Sequence, residues 1–370
     1  MNTIIVHNST KSYPVHIGQN LSGQILMTVK KLTAKGGQVV IITDSRVKKL
    51  FGKKISQALK SVRPLILTFA GGEKNKNQTT VTRLQNELLR RQLGRDTVIV
   101  AVGGGVVGDL AGFVAATYLR GVRYVQVPTT LLAMVDSSIG GKVGIDTPYG
   151  KNTIGSFYPP QAVIMDLDFL VGLPRPELVN GLMEAIKTFL TSDKRSLSLL
   201  PKLNFDNIKK SSAVWQQIIF RSAQIKAAIV AKDEKESGER KIINFGHTIG
   251  HAIELLSKFK IPHGLAVGYG MLAEMEMAHL LKILSKKDLD LAVKSLKIGG
   301  LDIVNSPFAK FSAKDIAIAT KYDKKKEAGV PCYVLLKTIG KVLVKNGRYA
   351  HPVPLSIIIK ALKTIGCKIL

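Results

Sequence analysis

Cysteine, aromatic side chains and acidic groups are all scarce in this 370-residue chain. It holds two cysteines, one tryptophan and 6% aromatic residues. Cys332 and Cys367 cannot form a disulfide framework or a thiolate zinc site, which points to a reducing, cytoplasmic compartment. Only 26 Asp and Glu face 54 Lys and Arg, a formal charge of +28. Such an excess invites a nucleic-acid reading. The basic residues, however, are spread through both halves, without a basic tail or an arginine-rich arm. The expectation is therefore a lysine-rich solvated surface and no nucleic-acid partner, with a field able to steer a polyanionic small molecule. Membrane insertion is excluded because no apolar run reaches the ~18 residues that span a bilayer. MNTIIVHNST also lacks a basic segment leading into a long apolar one, so no secretory leader is expected. At 45% hydrophobic residues the chain is not disordered.

The length suggests two domains. β-Branched runs at 39–43, 65–69, 97–102 and 124–127 alternate with helical stretches such as 79–93, which predicts βαβ units and a parallel sheet. Beyond about Asp166 the pattern changes to long helices at 177–190, 213–231, 244–259 and 265–281. Prolines at 174 and 176 mark the break. The expected fold is an α/β nucleotide-binding domain at 1–173 and an all-α domain at 174–370, with the cleft between them as the default site.

The strand 97–102 runs into Gly103-Gly104-Gly105-Val106-Val107-Gly108-Asp109 and then a helix. Gly103, Gly105 and Gly108 satisfy G-x-G-x-x-G, whose glycines let backbone approach a pyrophosphate at a helix N-terminus. A dinucleotide fingerprint also expects an acidic residue about 20 positions on. None is there, so this is not an ordinary Rossmann unit. Asp44 and Glu73, each following a strand, are candidates to hold the ribose instead.

Three of the seven histidines, His247, His251 and His263, fall close together. His247 and His251 are spaced i, i+4 on one helical face. The pattern is not H-E-x-x-H, which excludes a zincin protease. A catalytic zinc takes three protein ligands, and Glu184, Glu254 and Glu274 are the candidate carboxylates, the choice of ligand pair staying open. Arg240 and Asn244 lie one turn apart, and His247 and His251 continue their face. A helix face of that composition suits a polar pocket. Residues 136–152, DSSIGGKVGIDTPYGKN, read as a polar loop carrying Lys142 and Lys151, an arrangement suited to anions.

Together these segments resemble the 3-dehydroquinate synthases. The likeness runs from about Asp44 to Lys325 through GGGVVGDLAGFVAATYLRGV, VPTTLLAMVDSSIGGKVGIDTPYGKN, NGLMEAIK, GERKIINFGHTIGHAIE and the HG that follows. The resemblance implies a dehydroquinate synthase-like fold, NAD, and a divalent metal, zinc or cobalt. It also implies conversion of 3-deoxy-D-arabino-heptulosonate 7-phosphate to 3-dehydroquinate and phosphate by a homodimeric enzyme. By motif it assigns Glu184, His247 and His263 to the metal. It assigns Asp44, Gly71, Gly72, Glu73, Lys74, Asn75, Lys76, Gly104, Gly105, Val106, Val107, Gly108, Asp109, Thr129, Thr130, Lys142, Lys151, Phe169, Leu170, Val171 and Gly172 to the cofactor. Substrate contacts fall on Arg120, Asp136, Lys142, Lys151, Asn152, Lys187, Lys226, Arg240, Asn244, His251 and Lys324 (or Lys325), with Glu236 as a further carboxylate. In that scheme Lys142, Asn152, Lys187 and Arg120 hold the phosphate, Lys226, Arg240 and Lys324 the carboxylate, and His251 relays a proton. The sequence departs from the family pattern at Arg46, Gly172 and Pro176. The alternatives are another sugar phosphate cyclase, a metal-dependent polyol dehydrogenase, or a basic nucleic-acid-binding protein.

Overall fold

The computed structural model describes residues 1–9, 11–34, 36–320 and 330–368. They divide into two compact units, one of Met1–Pro174 with Ile208–Ala231, the other of Arg175–Asn207 with Lys232–Leu370.

In the first unit the strands are β1 (Asn2–His7), β2 (Ser12–Gly18), β3 (Val39–Asp44), β4 (Leu65–Phe69), β5 (Val98–Gly103), β6 (Arg123–Pro128), β7 (Lys142–Thr147), β8 (Gly150–Phe157) and β9 (Ala162–Asp166). Seven of them form one sheet in the order β1-β2-β9-β6-β5-β3-β4. β1 and β2 are an antiparallel hairpin, and every other pairing in this sheet is parallel. β5 and β9 are buried at every position, as strands covered on both faces must be. Their crossovers use α1 (Ser22–Leu32), α2 (Ser45–Ala58), α3 (Gln78–Arg90) and α4 (Gly105–Thr117). α4 buries Leu110, Ala111, Phe113, Val114 and Ala115 and packs on both β5 and β7. The chain passes from β3 outward to β4, then back across β3 to β5. That reversal leaves a crevice at the carboxyl ends of β3 and β5, where open α/β sheets bind ligands.

The stretch 136–152, expected as a loop, is structured. A π-helical turn over Ala133–Ser137 leads into the antiparallel β7–β8 hairpin. Val143 and Ile145 point inward from β7 and anchor it, an alternation that the flanking glycines disguise in the sequence.

The helix α5 (Arg175–Ser192) opens the second unit, with Pro176 in its first turn, where a missing N–H costs nothing. α6 (Ser212–Lys232) follows, and its residues up to Ala231 cluster with the first unit rather than with the other helices. Trp215, Ile218 and Ile219 are its buried anchors. The second unit continues with α7 (His247–Leu256), α8 (His263–Leu280), α9 (Lys286–Ile298), α10 (Ala313–Ala319) and α11 (Leu355–Thr364). The helix expected over 244–259 forms over the shorter span His247–Leu256. Glu239–Asn244 is a 3-10 turn, and Gly246 at φ +78° breaks it from α7. A Cβ at Gly246 would also meet Val267 O at 2.7 Å, so only glycine fits. Arg240 and Asn244 therefore do not share a helical face with His247 and His251. No helix among the described residues is long and apolar enough to cross a membrane.

Candidate active site

Asp44 ends β3 and caps α2 by accepting from Val47 N at 2.8 Å. A Cβ on Gly71 would stand 3.5 Å from the Asp44 carboxylate, which brings the 71–76 loop against the end of β3. On the other side of the crevice β5 ends at Gly103, whose carbonyl accepts from Thr129 N at 2.9 Å. Side chains at Gly104 or Gly105 would crowd Thr130 and Ser137 at 3.0 and 3.1 Å. Gly104, which precedes α4 at the cap position, has no side chain to bond the first N–H groups of the helix. Those donors, at the positive end of the helix dipole, suit a pyrophosphate. Bare backbone, an uncapped helix start and a carboxylate at the neighbouring strand fit a dinucleotide.

A charged network lies beside this cradle. Lys76 is almost wholly buried, with Nζ 2.8 Å from Asp109, 3.4 Å from Glu73 and 3.8 Å from Asp146. It also donates to Asn152 Oδ1 at 2.5 Å. Burial alone would lower its pKa, but Asp109, Glu73 and Asp146 together outweigh burial and raise it. The carboxyl of Asp109 is pushed up by burial, against the pull of Lys76. Glu73 feels the opposite balance: burial would raise it, yet Lys76 and Lys151 hold it below the usual range. This network joins residues from the cofactor and substrate assignments. Asp136, in the π-helical turn, receives Lys226 of α6 at both its carboxylate (2.5 Å) and its carbonyl (2.7 Å).

The second unit holds the histidines. Glu184 and Lys187, a turn apart on α5, are both buried, and Lys187 donates to Glu184 Oε2. The other oxygen, Oε1, is buried without a hydrogen-bond partner. It lies 3.6 Å from His263 Nε2 and 3.9 Å from His247 Nε2. His247 Nδ1 sits 3.2 Å from the Phe245 carbonyl, and His263 Nδ1 sits 3.2 Å from Glu254 Oε2. Both partners accept only, so each ring carries its proton on Nδ1 and its lone pair on Nε2. Two imidazole lone pairs and an orphaned carboxylate oxygen, all within 4.8 Å of one another, fit a divalent metal of zinc's ligand preference. His251, Glu254 and His263 form a second possible group. The bond between His263 Nδ1 and Glu254 argues against it, because Glu254 then orients the ring rather than ligating. His251 stands beside the cluster, its ring centroid 5.5 Å from that of His247. The approach of α8 to α5 depends on Gly264, where a Cβ would lie 1.8 Å from Asn180 O.

The turn before α7 is organised by a residue absent from the sequence reading. Asp233 accepts from the N–H groups of Ser237, Gly238 and Arg240. Burial would raise its carboxyl, but those donors hold it below the usual range. Within this turn Asn244 donates to Glu236 at 2.5 Å, and Arg240 donates to the Glu234 carbonyl.

Other assigned residues stand apart. Lys74, Arg120, Lys142, Val171 and Gly172 are exposed, and Arg46 is exposed on α2. Phe169 and Leu170 put their side chains in the core, Phe169 edge-on to Phe51. Gly172 adopts φ +88°, a conformation that strains any residue bearing a Cβ. Lys324 and Lys325 lie outside the described residues. Asp146, Asp233 and the orienting role of Glu254 were not read from sequence. The DT-P-Y-G turn signal after Asp146 is the one clue that marks a hairpin there.

Comparisons with known proteins identify the family. Residues 66–180 match the family model for the 3-dehydroquinate synthase N-terminal region, and residues 181–326 match that for the C-terminal region. A 3-dehydroquinate synthase of Pseudomonas aeruginosa is 40% identical over 347 residues, 93% of each chain. The chain belongs to the 3-dehydroquinate synthase family. Among solved structures, a 2-deoxy-scyllo-inosose synthase complexed with carbaglucose-6-phosphate, NAD+ and Co2+ aligns with a TM-score of 0.85 at 26% identity, covering 98% of this chain and 99% of that one. A 2-epi-5-epi-valiolone synthase from Streptomyces hygroscopicus with NAD+ and Zn2+ bound aligns at 0.82 and 24% identity, covering 96% and 97%. A synthase-like parallel sheet followed by helices is thus the fold of this chain.

Proposed function

We propose that this chain converts 3-deoxy-D-arabino-heptulosonate 7-phosphate to 3-dehydroquinate and phosphate, with NAD and a divalent metal. The family membership supports the reaction, and the Glu184–His247–His263 cluster is the observation that carries the chemistry. NAD supplies a hydride acceptor that later returns what it took, and the metal supplies Lewis acidity. Residues 1–173 are the nucleotide-binding region and 174–370 the metal- and substrate-binding region in this reading.

The loop Gly71–Lys76, the turn Gly104–Asp109, Thr129, Thr130, Asp44, Lys151 and the segment Phe169–Gly172 hold the cofactor. Glu184, His247 and His263 hold the metal through Oε1 and the two Nε2 atoms. Lys187 neutralises Glu184 Oε2, which keeps the other oxygen directed to the imidazoles. His251, beside the metal ligands, carries the proton of the reacting alcohol. Lys142, Asn152 and Arg120 take the phosphate, since charge-assisted donors suit a dianion. Lys226, Arg240, Asn244 and Lys324 take the carboxylate end, and Asp136 fixes Lys226. The enzyme acts as a cytoplasmic homodimer in this proposal, a compartment that fits two buried cysteines outside any disulfide.

Purified protein given the heptulosonate phosphate, NAD and zinc should release phosphate and form dehydroquinate in equal amounts. A second outcome, reduced NAD accumulating in step with product, identifies a dehydrogenase and rejects the proposal.

A further inference from the structure

The hairpin that carries Lys142, Lys151 and Asn152 has an irregular register. Ile145 pairs with Ile154, but Thr147 pairs with Gly150, so β8 bulges over 151–153 opposite the single residue Asp146. A bulge re-aims the side chains around it. Here the Asp146 carboxylate reaches across the turn and accepts from Asn152 N at 2.8 Å, replacing a ladder bond. Asn152 sits at φ +50°, in the left-handed region that asparagine tolerates better than most side-chain-bearing residues. Its amide oxygen is thereby turned onto Lys76 Nζ. Asp146 makes a second tie, donating its own N–H to the Lys76 carbonyl at 2.8 Å. One residue thus bonds backbone on the 71–76 loop and backbone on the hairpin.

We propose that Asp146 is a positioning residue that locks the substrate-phosphate hairpin to the cofactor loop, so that the loop's occupancy sets the order of Lys151 and Asn152. This rests on the assignments under the proposed function. Asn152 is fixed at its backbone N–H by Asp146, within the hairpin, and at its side-chain oxygen by Lys76, and the bond to Lys76 does not survive a shift of the loop against the hairpin.

The test compares Asp146→Ala and Asp146→Asn with wild type. The asparagine keeps an oxygen able to accept from Asn152 N–H; the alanine does not. Asp146→Ala should raise KM for the heptulosonate phosphate about tenfold, with kcat changed less than about threefold and bound metal unchanged, as expected for a lost ground-state contact. Asp146→Asn should restore KM to within about twofold of wild type. The second readout is hydrogen exchange of the 142–157 segment on adding NAD. It should slow in wild type and in Asp146→Asn but not in Asp146→Ala. Equal KM values in all three proteins, or an NAD-dependent slowing that persists in Asp146→Ala, overturn the proposal. A wild-type protein that turns nothing over yet shows the NAD-dependent slowing condemns the functional reading alone.

Discussion

In the first unit the groups offered to a ligand are mostly backbone: glycine turns, the uncapped start of α4, and loops at the ends of β3 and β5. In the second unit they are side chains on buried helices, with Glu184, His247 and His263 fixed by partners on each remaining polar atom. The difference follows from the ligands. A pyrophosphate presents many oxygens over several ångströms and is met by a row of N–H groups. A metal ion needs three donors at short range in fixed directions, which only packed side chains supply. The first unit also carries a dense ion network at Lys76, whereas in the second unit Glu254 bonds the His263 ring and Asp233 bonds the turn before α7.

The largest expected effect breaks the second half. His263→Ala should lose metal and lower turnover about a thousandfold, the several kcal/mol that a Lewis acid contributes. NAD affinity should be unchanged, and metal analysis with equilibrium NAD binding checks both. Retained metal with normal turnover rejects the ligand assignment.

Next in size is Lys76→Met, which leaves Asp109 and its neighbours without their buried cation. A loss of ~3 kcal/mol is expected, read from the denaturant midpoint at pH 8. The pH dependence has a definite sign. The folded pKa of Lys76 lies above the ordinary 10.5, so its stabilisation is full below that value and is lost as pH rises through the folded one. The gap between wild type and Lys76→Met should therefore narrow above pH 10.5. A gap constant with pH would place the effect in packing instead.

Glu254→Gln sharpens the comparison by keeping shape at the His263 partner while removing charge. Metal affinity should fall about 10- to 100-fold, as for other groups that orient a ligating imidazole. A change below about twofold would mean that Glu254 serves only packing.

How much of this was legible in the sequence differs between the units. The parallel strands were, since β3 and β5 are continuous runs of Val and Ile and need no partner to be recognised. So was the turn after β5, because three glycines between strand and helix are a local signal. The histidine cluster was visible as composition, but its geometry was not. The i, i+4 rule joined Arg240, Asn244, His247 and His251 on one face, and Gly246 cut that face in two. Nothing local tells a glycine at φ +78° that caps the start of a helix from a small residue inside one. The 136–152 hairpin was hidden for a related reason: its inward Val143 and Ile145 are outnumbered by glycine and polar neighbours. Asp146, Asp233 and Glu254 act on backbone or rings distant in sequence, and no spacing rule encodes such partners.

The smallest expected effect concerns Lys54, which bonds Asp166 at 3.1 Å and Asp168 at 3.0 Å beside the segment 169–172. Lys54→Met should cost only ~1 kcal/mol, because Lys54 is partly exposed and Asp166 keeps the N–H groups of Leu21 and Asp168.

The central claim is that both halves serve one turnover. The direct measurement strips the protein of nucleotide and metal and follows phosphate release from the heptulosonate phosphate after adding back NAD, zinc, both or neither. Release only when both are restored, without net reduced cofactor, is the predicted result. Equal release from the stripped protein, or from protein given either one alone, contradicts the account.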